Sequence, residues 1–184
     1  PGSITGTVTF FDGGSPVGSP VTIVAATASI SNAYSASGGA HAFTATYNGD
    51  ANFATNTSST LNQTVNKAST TASVVGNPNP ASVGESVTFT AAVHAADPGS
   101  GTPAGSVTFS IDGSPFGPVS MTAGVATIAT SSLALGIHTV TGSYSGDGNF
   151  NTIISSAYAD SVDPVITATV SPHGSIAPSG SVLA

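Results

Sequence analysis

The residues best suited to chemistry sit in one turn that occurs twice. Gly49-Asp50-Ala51-Asn52 and Gly146-Asp147-Gly148-Asn149 each place a carboxylate two positions before an amide, inside the longer strings YNGDANF (Tyr47–Phe53) and YSGDGNF (Tyr144–Phe150). Oxygens of Asp and Asn in a loop suit Ca2+, which takes roughly six to eight oxygen ligands. Asp50, Asn52, Asp147 and Asn149 are therefore calcium candidates. One carboxylate per turn is little charge for that task, and a simpler reading competes: Asp and Asn cap the turn by accepting nearby backbone amides, while Gly supplies the positive φ. Turn capping is the expectation, with no metal or other cofactor needed.

The remaining polar groups are read against their simplest roles. His41 and His138 occupy equivalent places at the start of one strand, with no His or Cys partner near in sequence, so packing or a backbone bond is expected over metal binding. Asp12 and Asp112 read as turn residues. Asp97, Asp160 and Asp163 lie near domain ends and are candidates for an interdomain site. Ser, His and Asp are abundant, yet no GxSxG elbow or comparable nucleophile context occurs, so the chain is not expected to be an enzyme. Lys67 is the sole Lys or Arg. A Lys–Asn isopeptide needs a buried Lys beside an acid, and the second copy of this junction has Pro164 instead, so a general cross-link is not expected. Tyr47 and Tyr144 read as buried rings with the hydroxyl tied to backbone.

Charge narrows the partners. Eight acidic residues against one basic residue give a net charge of −7, and one Lys cannot neutralise a run of phosphates or hold an anionic membrane. No apolar run approaches the ~20 residues that span a bilayer. Nucleic acid and membrane insertion are excluded as expectations, leaving self-association or a surface ligand. Charged residues are only 5% of the chain, against about 25% in an average domain. The lack of Cys leaves the redox compartment open, while a single Lys offers trypsin-like proteases few cleavage sites, and the expected location is extracellular or at the cell surface.

The turns need elements to hold them, and these repeat too. Tyr47 and Tyr144 are 97 residues apart, while GTVTFFDGGSPVG from Gly6 answers GSVTFSIDGSPFG from Gly105 at an offset of 99. A period of that size marks a tandem array of small β domains. In the second copy Ser86–His94 alternates Val87, Phe89, Ala91 and Val93 with small polar residues, and Gly105–Ile111 alternates Val107, Phe109 and Ile111. Period two of this kind marks half-buried strands. Asp112-Gly113 is a type I′ hairpin signal. Further strands are expected at Thr71–Val75, Phe116–Met121, Val125–Thr130, His138–Ser145 and Ile154–Val162. The fold class is therefore all-β: tandem immunoglobulin-like antiparallel β-sandwiches. Residues 1–67 read as a domain lacking its first strands, 68–164 as a complete domain, and 165–184 as the opening strand of a following domain or a donor strand.

On Gly6–Phe10, Gly105–Phe109, SSLALGIHTVTGSYSGDGNF (Ser131–Phe150), QTVNKAST (Gln63–Thr70) and PNPASVGESVTFTA (Pro78–Ala91), the chain resembles the bacterial Ig-like repeats of large surface and secreted proteins. The resemblance covers nearly all of 1–164. It implies a spacer, adhesin stalk or fibre subunit. The expected function is a non-enzymatic extracellular stalk or filament; 1–184 reads first as an excerpt of a longer repetitive protein, and second as a subunit that polymerises head to tail by strand complementation. The alternative is a ligand-binding adhesin module.

Overall fold

In β10 (Ser106–Ile111) every second side chain is sealed: Val107, Phe109 and Ile111 are 5% exposed or less. Alternation at period two sends them to one face of a pleated strand, and the partner strand completes that face. The computed structural model describes residues 2–35 and 39–165. These contain no helix, so none is long and apolar enough to cross a membrane. They divide into two units, Pro1–Thr71 with Val93–Gly105 and Ser145–Ile153, and Ala72–Ala92 with Ser106–Tyr144 and the chain from Ile154.

The second unit is an Ig-like sandwich. β10 pairs with β13 (Gly136–Tyr144), setting Val107 opposite Tyr144, Phe109 opposite Gly142 and Ile111 opposite Val140. β13 pairs in turn with β15 (Tyr158–Asp163), with His138 opposite Asp160. β8 (Ala81–Ser82) joins β15 in parallel, and β11 (Ser114–Ser120) closes the other edge. The β10–β11 hairpin turns on Asp112 (φ 49°) and Gly113 (φ 83°), both left-handed as a type I′ turn requires. The facing sheet is β12 (Val125–Thr130), β9 (Val87–Ala95) and β7 (Thr70–Asn77). The sheets meet at Gly142, where an added Cβ would lie 3.1 Å from Val74 and 3.6 Å from Ala91.

The first unit repeats one of these sheets residue for residue. β1 (Thr7–Asp12) pairs with β4 (Ala40–Tyr47), setting Val8 opposite Tyr47, Phe10 opposite Ala45 and Asp12 opposite Phe43. β2 (Ser15–Pro16) and β3 (Val21–Thr22) lie on β1, while β5 (Asn56–Thr57) and β6 (Leu61–Thr64) lie on β4. No facing three-stranded sheet covers it among the described residues, and the inner side chains of β1 and β4 are only half-buried. The stretch between β3 and β4 corresponds to the place of β12, but its described residues hold only a Val24–Thr27 bridge. β12 hangs on β9, and the first unit's described residues offer no strand to take that role. Tyr34 packs instead on Phe43 and His41, with ring centroids 5.4 and 4.5 Å apart.

One strand expectation fails, for a local reason. Ile154–Val162 is not one strand but β14 (Ile153–Ile154) and β15, and Ile154 is 67% exposed. At the break the Ser155 hydroxyl accepts the Gly142 amide at 3.0 Å and donates to the Ser156 carbonyl at 3.0 Å, so a side chain replaces a rung of the ladder. Ser58 does the same for Ala45, donating to Ser59, and divides β5 from β6. The possible strand at 165–184 lies outside the described residues beyond Val165.

Candidate functional site

The two Gly-Asp turns are built alike. Asp50 Oδ1 accepts the amides of Asn52 and Phe53, each at 2.8 Å, and Oδ2 accepts the Thr5 amide at 2.9 Å and its hydroxyl at 2.6 Å. Asp147 Oδ1 accepts the amides of Asn149 and Phe150 at 2.8 and 2.9 Å, and Oδ2 the Ala104 amide at 2.8 Å. Thr5 precedes Gly6 as Ala104 precedes Gly105, so each carboxylate ties its turn to the chain entering β1 or β10. The Thr5 hydroxyl first, then the amides, hold the Asp50 carboxyl well below the usual range. Gly49 and Gly146 sit at φ +81° and +71°, and a Cβ on either would come within 3.0 Å of the Phe53 or Phe150 carbonyl. Asn52 and Asn149 enter through their backbone amides, and Asn149 Oδ1 also accepts the Ser35 hydroxyl at 2.7 Å. Among the described residues no three His, Asp or Glu side chains gather as metal ligands would.

Sequence reading missed a second repeated device. His41 Nδ1 lies 2.7 Å from Asp12 Oδ2, and His138 Nδ1 lies 2.6 Å from Asp112 Oδ2. Each pair staples the end of one strand, or the turn just after it, to the start of its neighbour. Asp112 is a turn residue, as expected, whereas Asp12 is the last residue of β1 because it still pairs with Phe43; each holds a strand-start histidine, in addition to the expected packing of His41 on Tyr34 and Phe43. The signal was available: in both copies an Asp-Gly turn follows the VTF strand and a His opens the next long strand. Only the antiparallel register shows that they meet. His138 carries the backbone bond as well, with Nε2 2.8 Å from the Ala134 carbonyl.

Two other expectations change. Asp160 is not near an interdomain site; it is 0% exposed on the inner face of β15, and neither oxygen has a hydrogen-bond partner among the described residues. Tyr47 is buried at its hydroxyl without the expected backbone bond among the described residues, and burial, reinforced by the Asp50 carboxylate, raises its phenol. Lys67 is exposed, and its ammonium donates to the Asp147 backbone carbonyl. Around Lys67 the first unit is laced by backbone bonds, Ala68 N to Asn149 O at 2.8 Å and Asn151 N to Ala68 O at 2.9 Å. Beside them lies a groove of about 540 Å3, whose lining includes Tyr34, Val65, Asn66, Pro98 and Phe150 and holds no charged side chain.

A family model described as bacterial Ig-like domain (group 3) matches residues 1–66 and 74–163. A solved structure titled as fibronectin(III)-like modules of Clostridium thermocellum CbhA is similar at 17% identity and a TM-score of 0.41, over 92% of this chain and 84% of that one. A search of curated proteins finds no match.

Proposed function

We propose a mechanical role from a plain premise: the chain belongs to the bacterial Ig-like domain family. In this reading it is a non-enzymatic structural repeat of an extracellular stalk or filament at the bacterial cell surface, and its partners are neighbouring repeats or further copies of itself. The carrying observation is the contrast between two faces of one design. Val107, Phe109, Val140 and Tyr144 are at most 1% exposed in the two-sheet sandwich, while Val8, Phe10, Phe43 and Tyr47, in the same register, are half-buried. Covering apolar surface stabilises by about 25 cal/mol per Å2, and an added strand is a natural cover for a sheet with open edges.

We assign that cover to residues 165–184 of a second copy, giving head-to-tail polymerisation. Val165–Val170 reads VITATV, a β-branched run like TTASVV at Thr70–Val75. The His–Asp staples support a non-catalytic reading, since both imidazoles already hold strands together. Purified 1–184 is expected to sediment as a concentration-dependent series of species and to form threads in negative stain, and a chain ending at Pro164 to remain monomeric. A well-folded full-length monomer at all concentrations would rule out strand exchange.

The groove beside Tyr34 and Phe150 favours a second reading, an adhesin module for an uncharged ligand. Ligand-induced shifts confined to Tyr34 and Phe150 in NMR spectra would support it over the fibre.

A further inference from the structure

β13 and β15 set His138 directly opposite Asp160 on the inner face of the second unit. His138 has an acceptor at each ring nitrogen, the Asp112 carboxylate at 2.6 Å and the Ala134 carbonyl at 2.8 Å. A neutral imidazole has one N–H and can serve only one of them; the imidazolium serves both. Asp160 is fully buried with both oxygens unpartnered among the described residues. A carboxylate held in apolar surroundings without donors is strongly disfavoured, and such a group takes up a proton.

The packed elements bring little else that titrates. β7 presents Gly76, where an added Cβ would lie 2.6 Å from Asp160 Oδ1, and β9 presents Phe89 beside it. Asp163 on β15 is exposed and accepts the Ser161 hydroxyl, Glu85 is exposed and accepts the Ser82 amide, and His94 on β9 is exposed. In the first unit Gln63 stands opposite His41, and His41 Nε2 has no partner among the described residues. The buried carboxyl and second acceptor thus belong to the second unit's cluster.

We infer that Asp112, His138 and Asp160 form a protonation lock, which ties β10, β13 and β15 together in mildly acid solution and loosens the sandwich as the solution turns alkaline. The Ala134 carbonyl first, and then the Asp112 carboxylate, push His138 up; burial pushes Asp160 up, with the His138 charge pulling it partly back. Both contribute stability that is complete below their ordinary values and is lost as pH rises through the raised ones. Asp112 is held low, first by its bond to His138, and acts oppositely: its contribution is lost as pH falls through the carboxylate range. Asp112 and His138 together place maximum stability of the second unit above the carboxylate range and below the ordinary imidazole value, with Asp160 adding most at the acid end of that window.

The test is urea unfolding of the full chain at pH 5.5 and 8.5, followed by the methyl signals of Ala91 and Ala126. The wild-type folding constant is expected to fall several-fold between the two, the direction set by the raised His138 and Asp160. Asp160→Asn is expected to remove much of that fall. A wild-type midpoint that is equal at the two pH values, or higher at 8.5, overturns the lock, as does an Asp160→Asn chain that keeps the whole loss. Should that variant not fold, the His138 ring signal of the wild type decides: titration above the ordinary imidazole value supports the lock, and titration at or below it overturns it.

Discussion

At the residue scale, the Gly-Asp turns illustrate how one side chain can serve several amides at once. Asp147 accepts from Ala104, Asn149 and Phe150. Replacing it by Ala strips their acceptor, and Asp147→Ala is expected to lower stability by about 1–3 kcal/mol, with Asn costing less because it keeps one acceptor. Equilibrium urea unfolding measures this. Asp50, held below the usual carboxyl range, contributes stability that is present above that range and lost as pH falls through it. The first unit is thus expected to weaken on acidification, and Asp50→Asn to blunt the response. Because these oxygens already have donors, a calcium chelator is expected to leave the melting temperature unchanged, and a clear drop would return Ca2+ to the turns. Capping was legible in sequence because it is local, a matter of residues two and three positions apart. The Asp–His staples were not, because His138 and Asp112 are 26 residues apart and meet only through strand register. Period two does put Asp160 on the face of Tyr158 and Val162, but an acid at such a position is ordinarily left exposed, so its burial was not expected.

At the element scale, the two copies share a ladder, while among the described residues only the second has a facing sheet, and small residues record the difference. Phe109 is opposite Gly142, and Phe10 is opposite Ala45. A Cβ at Gly142 would come within 3.1 Å of Val74 and 3.2 Å of Val107, so Gly142→Ala is expected to destabilise the second unit by about 1–3 kcal/mol through overpacking. Thermal unfolding of the variant checks this. Ser155→Ala orphans the buried Gly142 amide, and a loss of about 1–3 kcal/mol is expected on the same assay. The long alternating strands β9, β10 and β13 were readable to within a residue or two, because one face of each is sealed and the pattern is strict. The β14–β15 break was not, since a hydroxyl that stands in for a carbonyl leaves period two locally intact in the sequence.

For the whole molecule, a net charge of −7 with a single Lys means that copies repel weakly and have few ion pairs to join them. Added salt screens the repulsion, so oligomers held by strand exchange are expected to lengthen between roughly 10 and 150 mM salt, as sedimentation would record. Ion-paired contacts would respond in the reverse direction. The repeat itself was legible because YNGDANF and YSGDGNF return in order, and residues 1–67 hold no counterpart of Thr71–Val93, which is why a domain without its first strands was expected there. One pairing bears on how such a chain answers tension. β8, near the start of the second copy, runs parallel to β15 at its end, joined at Val162–Ala81 and by the Val83 amide to the Asp163 carbonyl at 3.1 Å. A pull on the two ends drags these strands past each other along their length, so their bonds are loaded together in shear and cannot be unzipped one by one.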